Sequence, residues 1–446
     1  MSWARGFLGF LLGGALVLLS ESVQALPAVP HYDKEIRSAL SFIKNYQVRE
    51  DEGYDPGQWR ARVTSYVPSA IGVGKFAVPF EEPTVFASTS VANVLAEIYS
   101  HNPRYTEIPP LLERTREGLA KYRWGNLFNF YPPTTYKGVK VRAPRYMYLA
   151  KQWKGFANIP PDADTTSVAY TFLHYSDSLR RNLSPHEWES VLPAQVMEAL
   201  SAARDLSRKP HVYNAAQGHF KTGAFLTWLF DEHDPAMPRN IFAPPHRGTR
   251  IPFNVNDVDC VVNGNVLKLL TYAGKTTGPG YQASCSHLNR VVRNKQFYFC
   301  GMYYPSYYAL PYVVAANVEA GTTCLDPARE RVLNFIIAKQ HKDGSWRNSF
   351  LARPDYIQST VWALNTLLIL GNPNNELHRE RVRRGLRFLL SQAQRDSSGR
   401  LYWSGQVFYA ATFIARYPVV WRSTAYTTAL ATKALLLADR WYAVPF

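Results

Sequence analysis

Apolar residues recur along this chain in two alternating patterns. In the first they occupy one stripe of a helix. Phe42-Ile43 leads to Gln47 and Gly57-Gln58-Trp59, Phe335-Ile336 to Gln340 and Asp343-Gly344-Ser345-Trp346, and Phe388-Leu389-Leu390 to Gln394, Gly399 and Trp403. These units, near residues 36–59, 329–346 and 381–403, each predict an amphipathic helix that stops at a glycine turn. The tryptophan can then stack on the next unit, and the glutamine amide can tie off open backbone groups. In the second pattern, apolar residues cover most faces of a segment that opens with Ser, Thr, Asp or Asn. Residues 84–92, 162–172, 256–270, 358–370 and 422–437 read this way. Such openings cap helices, and apolarity all round marks a helix covered on both sides. Outer amphipathic helices alternating with buried inner ones predict an all-α chain, an α/α toroid of two concentric helix rings in one domain over residues 26–446. No comparable run of strand alternation with hairpin turns competes with that reading. Inner helices running the same way place their N-termini on one rim, in front of a central cavity.

Composition narrows the class. The 446 residues are 46 % hydrophobic and 19 % charged, a globular balance that excludes bulk disorder. The net charge is +16, but no long block of one sign exists, which argues against a nucleic-acid partner. With 28 Tyr, 23 Phe and 11 Trp there are rings enough to line a cavity. At the N-terminus Arg5 precedes an apolar run from Phe7 to Leu19, and Val23-Gln24-Ala25 supplies small residues for a signal peptidase. Residues 1–25 therefore read as a signal peptide, with an uncleaved anchor as the alternative. The mature protein is expected to be exported, periplasmic or secreted, and monomeric.

Four cysteines, Cys260, Cys285, Cys300 and Cys324, permit two disulfides in an oxidising compartment. Three connectivities are open. The nested one, Cys285 with Cys300 and Cys260 with Cys324, is favoured over the others, and buried free thiols are the alternative.

Two acidic pairs open inner segments. Asp162-Ala163-Asp164-Thr165-Thr166 follows Ile159-Pro160-Pro161. Two carboxylates this close repel, so one can keep its proton. A protonated carboxyl in a dry, ring-lined cavity is an acid able to protonate an alkene or epoxide, while an ordinary helix cap is the plainer reading. Asp257-Val258-Asp259 opens the next such segment, with Asn263 one turn on. This pair could bind a polar ligand or Mg²⁺, or act as caps alone.

The helix–Gln–Gly–Trp units resemble the QW repeats of squalene and oxidosqualene cyclases, and the whole pattern resembles the terpenoid-cyclase and prenyltransferase toroid. Asp162-Ala163-Asp164-Thr165-Thr166 is similar to the DxDTT form of the class II terpene-cyclase acid motif. That resemblance implies Asp164 as the acid that protonates a polyprenyl alkene, Asp162 as the residue that tunes it, and Thr165 and Thr166 as residues that orient the pair. It implies no certain cofactor, with Mg²⁺ only for a diphosphate substrate.

Rings that could steady a carbocation on inner segments are Tyr170, Phe172, Trp362 and Tyr426, with Tyr303, Tyr304, Tyr307 and Tyr308 as a lid. The three unit tryptophans are assigned to structure. Asp231-Glu232-His233-Asp234 offers metal-compatible ligands but reads better as a solvated loop, and His219 near Lys221 could meet an anion. Arg379, Arg381, Arg383, Arg384 and Arg387 form a solvated face or one that meets an anionic membrane. The expected function is an exported class II terpene cyclase-like enzyme acting on an isoprenoid or lipid-like substrate. The alternatives are a carbohydrate-active toroid hydrolase or lyase, or a non-catalytic lipid- or partner-binding toroid.

Overall fold

The computed structural model describes residues 31–49, 54–66, 78–136, 138–144, 158–189, 191–230, 249, 251, 255–298, 300–348, 355–411 and 419–442. The expected signal peptide and the acidic run Asp231–Asp234 lie outside them. Thirteen helices run in chain order through the described residues. They are α1 (Asp33–Tyr46), α2 (Val85–His101), α3 (Ile108–Glu117), α4 (Ala163–Arg180), α5 (Ala194–Ala202), α6 (Val212–Ala216), α7 (Cys260–Tyr272), α8 (Pro279–Arg293), α9 (Ala309–Glu319), α10 (Asp326–Lys339), α11 (Ile357–Leu370), α12 (Glu376–Ser391) and α13 (Thr424–Tyr442).

Burial divides these helices into the two predicted kinds. In α2 every residue from Val85 to Ile98 is buried, and α4, α7, α9 and α11 are buried along nearly their whole length. By contrast α1 buries Ile36, Ala39, Leu40 and Ile43, a single stripe at helical spacing. The buried helices contact one another in a closed order: α2 packs on α4, α4 on α7, α7 on α9, α9 on α11, α11 on α13, and α13 returns to α2. Outside them, α3 covers α2 and α4, α8 covers α7, α10 covers α9 and α11, α12 covers α11, and α1 covers α13. No helix of the described residues is long and apolar enough to cross a membrane.

The helix–Gln–Gly–Trp units have a common job. The Trp59, Trp346 and Trp403 indoles donate back to Ile43, Ile336 and Leu389 carbonyls at the ends of α1, α10 and α12. The same three backbone N–H groups donate to Ser88, Thr360 and Thr428 on inner helices. Each tryptophan thus pins an outer helix to an inner one. In two units the glutamine completes the joint: Gln47 donates to Gly57 and Leu111 carbonyls, and Gln340 to Gly344 and Arg381 carbonyls. Gly57 and Gly344 have φ of 88° and 90°, and a Cβ there would stand 2.1 and 2.2 Å from the Arg114 and Arg384 carbonyl oxygens, so only glycine fits. The third unit is looser. Gln394 is exposed in a short strand, and a Cβ on Gly399 would meet nothing.

Strands qualify the all-α expectation. Hairpins β3–β4 (Arg123–Trp124, Leu127–Phe128), β5–β6 (Pro133–Tyr136, Val139–Arg142) and β7–β8 (Gln394–Arg395, Leu401–Tyr402) are small. A four-stranded antiparallel sheet is larger, with β1 (Arg62–Ser65), β2 (Val78–Glu81), β9 (Val407–Ala411) and β10 (Val419–Arg422) in the order β2-β1-β10-β9. Its strands are four or five residues long and come from opposite ends of the chain, too little alternation at any one place to signal strand.

The disulfides correct the favoured pairing. Cys260 joins Cys300, and Cys285 joins Cys324. The reason is helix placement. Cys260 is the first residue of α7, where its N–H donates to the Cys300 carbonyl, whereas Cys285 sits mid-way along α8, which packs on the short helix Thr323–Leu325.

Candidate functional site

Both acidic pairs lie at inner-helix starts, but in different registers. Asp162 is the N-cap of α4 and accepts from the Thr165 N–H at 2.6 Å. Asp164 therefore falls inside the first turn with its carboxylate free for other partners. In the second pair the cap is the second member: Asp259 accepts from Val261 and Val262 N–H at 2.7 and 3.1 Å. Its other oxygen accepts from the Met302 and Tyr303 N–H groups, so Asp259 is committed to holding the loop after Cys300 against α7. Asp257 precedes the helix and accepts from the Thr227 hydroxyl at 2.5 Å and the Tyr303 hydroxyl at 2.7 Å. With all four oxygens of this pair bonded to protein donors, and neither residue on the cavity wall, the pair does not fit the donor set of a Mg²⁺ site.

Asp164 is only 3 % exposed. Its Oδ1 accepts from Asn265 Nδ2 at 2.6 Å, and its Oδ2 accepts from the Tyr304 hydroxyl at 2.5 Å. Burial, then the negative charge of Asp162, pushes its pKa up to about 7, against the two hydrogen bonds that lower it. Burial also raises Asp162 to about 7, opposed by its bonds to Thr165. Asp259 is raised to about 7 by burial, opposed by its backbone bonds.

Asn265 and Tyr304 line a cavity of about 80 Å³ to which all six inner helices contribute. Phe86, Tyr312, Trp362, Phe408 and Tyr426 supply its rings, and Ser90, Asn93, Glu97, Lys268 and Asn317 its polar atoms. An apolar cavity of about 150 Å³ takes one benzene. In this conformation the chamber therefore has room for a ligand of only a few atoms. Over the acid end, Tyr409 of β9 packs on Tyr304 and Phe86 at 5.6 and 5.0 Å between ring centres, and the Ala410 N–H donates to the Tyr303 carbonyl. The sheet thus roofs the end where Asp164 sits.

Glu97 and Lys268 on the cavity wall belong to an ionic cluster that the sequence did not announce. Lys268 donates to Glu97 Oε1 at 2.6 Å, and Lys433 bridges Glu97 and Glu319 at 2.8 and 2.7 Å. Burial favours the neutral forms of Glu97 and Glu319, but Lys268 and Lys433 outweigh it at Glu97, and Lys433 with His101 at Glu319, so that both carboxyls are held below the usual range. The four residues lie on four separate helices, which is why no local motif reveals them.

The other expected site residues divide clearly. Tyr304, Trp362 and Tyr426 are on the cavity wall. Thr165 holds the Asp162 carboxylate through its N–H, whereas the Thr166 hydroxyl bonds to the Phe128 backbone instead of to either carboxylate. Tyr303 faces Asp257 and Trp228, away from the cavity. Asn263 bonds to Phe225 and Ser284, tying α7 to its neighbours. Tyr170 points outward to the Asn126 carbonyl and packs on Phe128. His219 is buried against Gln296 and His287 rather than presented to a ligand. On α12, Arg379 pairs with Glu376, and Arg383 and Arg384 pair with Glu380.

No protein-family profile and no curated protein matches the sequence. Solved structures do match in shape. The type II terpene cyclase MstE from Scytonema is similar over 92 % of this chain and 98 % of its own, with 14 % identity and a TM-score of 0.55. A variant of it in complex with geranylgeranyl dihydroxybenzoate, its substrate, gives the same identity and TM-score, covering 92 % of this chain and 97 % of that one. A cellobiose 2-epimerase from Bacillus thermoamylovorans is similar over 90 % of this chain and 98 % of its own, with 11 % identity and a TM-score of 0.51. With buried helices ringed by amphipathic ones, and with shape agreement over nine-tenths of its length, the chain has a terpene cyclase-like fold.

Proposed function

We propose that this protein is an exported enzyme that starts the cyclisation of an isoprenoid by protonating it, with Asp164 as the general acid at the mouth of an α/α toroid. One observation carries the proposal: a buried carboxyl whose pKa is raised to about 7, joined by a 2.5 Å hydrogen bond to a tyrosine on the wall of a ring-lined cavity. Asn265 donates to Oδ1, so the proton of neutral Asp164 belongs on Oδ2, where it faces Tyr304. The step is a relay. Asp164 passes that proton to the Tyr304 oxygen as Tyr304 gives its own to the alkene, leaving an aspartate and a carbocation. The aspartate then keeps both hydrogen bonds, and Phe86, Trp362, Tyr312 and Tyr426 offer ring faces to the cation. Loss of a proton from the cation, or from a captured water, restores the acid. The chamber excludes bulk water so that the cation survives.

Entry of a prenyl chain requires the roof formed by Phe408 and Tyr409 to lift. The expected partners are a small isoprenoid or lipid-like molecule and, at the surface, an anionic membrane from which it is drawn; the enzyme works as a monomer. Mg²⁺ belongs to the proposal only if the substrate carries a diphosphate. The test is to incubate the purified protein with isoprenoids and with lipid extracts and follow cyclic products by mass spectrometry. Product formation that survives Asp164→Asn rules out the assigned acid.

A carbohydrate-active enzyme is the second reading, favoured by the polar residues Ser90, Asn93, Glu97, Lys268 and Asn317 on the cavity wall and by the epimerase's shape. It predicts that sugars, rather than isoprenoids, protect the protein against thermal unfolding.

A further inference from the structure

The ionic wall of the cavity holds two polar groups with unused capacity. Asn93 is 9 % exposed and lines the cavity. Its Nδ2 donates to the Val168 carbonyl at 3.0 Å, which fixes the amide orientation, and its Oδ1 has no hydrogen-bond partner. An unpartnered buried acceptor is destabilising, and a donor from a ligand would relieve it. Lys268, also on the wall, has three N–H bonds, of which Glu97 takes one, while the rings of Tyr175 and Tyr272 lie 5.5 and 6.0 Å from its nitrogen. Asn93 and Glu97 are one turn apart on α2, so the open acceptor and the lysine bound to Glu97 share one helix face.

These two groups ask for different things. Lys268 seeks an acceptor, and Asn93 Oδ1 seeks a donor. A hydroxyl satisfies both, because its oxygen accepts from Lys268 and its hydrogen is donated to Asn93. An anion satisfies only the lysine, and the charge around it is already balanced, with Lys268 and Lys433 set against Glu97 and Glu319. We infer that Lys268 and Asn93 form a hydroxyl-binding subsite on the cavity wall, so that the substrate is an isoprenoid alcohol rather than a hydrocarbon or a diphosphate. This rests on the isoprenoid reading above and narrows its substrate class.

The test uses the Asp164→Asn protein, so that binding is measured without turnover. Geraniol, its methyl ether and the matching hydrocarbon without oxygen are titrated by calorimetry. Geraniol is expected to bind about tenfold or more tighter than the hydrocarbon, with the ether, which can accept from Lys268 but cannot donate to Asn93, in between. Asn93→Ala should bring geraniol to the affinity of the ether. The three-ligand comparison holds even if that variant does not fold. Equal affinity for all three overturns the subsite and leaves the isoprenoid reading standing. Binding of none of the three overturns the isoprenoid reading, and the subsite with it.

Discussion

The Tyr304 hydroxyl meets Asp164 Oδ2 at 2.5 Å from a position on the cavity wall that Asp164 itself does not occupy. In the proposed reaction the acid therefore acts through this neighbour. Tyr304→Phe is expected to lower cyclisation by about 10²-fold or more, in line with removal of a positioned proton donor. The same change removes a hydrogen bond that lowers the Asp164 pKa, so that pKa should rise further above 7. Infrared titration of the buried carboxyl checks the shift, and turnover within threefold of the parent protein would sink the relay.

Asp164→Asn keeps the shape of the side chain and removes its proton. Product formation should fall to background while the melting temperature stays level or rises, because a buried carboxyl is replaced by a neutral amide. Thermal unfolding alongside product analysis separates the chemical loss from misfolding.

Stability should decline as pH rises from about 5 to 8. Burial raises Asp162, Asp164, Asp259 and Asp355 to about 7, above their unfolded values, so the stability they contribute is full at low pH and is lost as pH passes through 7. Buried His174, His219 and His287 are lowered by burial and act in the opposite sense, but their effect is complete once pH exceeds the unfolded histidine value. Each linked proton is worth about 1.4 kcal/mol per pH unit. Asp355→Asn, away from the acid site, should flatten the profile and stabilise the protein at pH 8 relative to the parent. Urea unfolding at several pH values measures both effects.

Glu97→Gln should be severe. It leaves Lys268 and Lys433 facing a neutral amide in the interior, and breaking a buried ion pair costs about 3–5 kcal/mol. Lys433→Met with Glu97→Gln and Glu319→Gln should recover part of that loss, which comparing the unfolding free energies of the triple and single variants would reveal.

Reduction of the Cys260–Cys300 bond should cost about 2–4 kcal/mol and also lower activity, because Cys300 precedes the loop that presents Tyr303 and Tyr304. Peptide mapping should find Cys260 linked to Cys300 and Cys285 to Cys324. Any peptide joining Cys285 to Cys300 would contradict the pairing.

What the sequence disclosed was whatever lies close together along the chain. Helix periodicity gave the inner and outer elements, and the cap at Asp162 placed Asp164 in the first turn of α4. The twin acidic pairs looked equivalent, yet capping by the first Asp in one and the second in the other turns Asp164 toward Asn265 and Tyr304 and commits Asp259 to backbone amides. Spacing alone carries no sign of which member caps. Cysteine pairing followed the placement of α7 and α8, a tertiary fact. The Glu97–Lys268–Lys433–Glu319 cluster draws on positions hundreds of residues apart, and the four-stranded sheet on segments too short to betray their pairing.

That sheet, together with the hydrogen bond from the His31 N–H to Asp439, stitches the first described residues of the chain to the last. The two ends of the chain thus meet in this sheet, where Val63 lies opposite Trp421, as well as where α13 packs on α1 and α2. Because Tyr409 of this same sheet covers Tyr304, the strands that tie the two ends of the chain together are also the ones that a substrate of the proposed reaction has to displace.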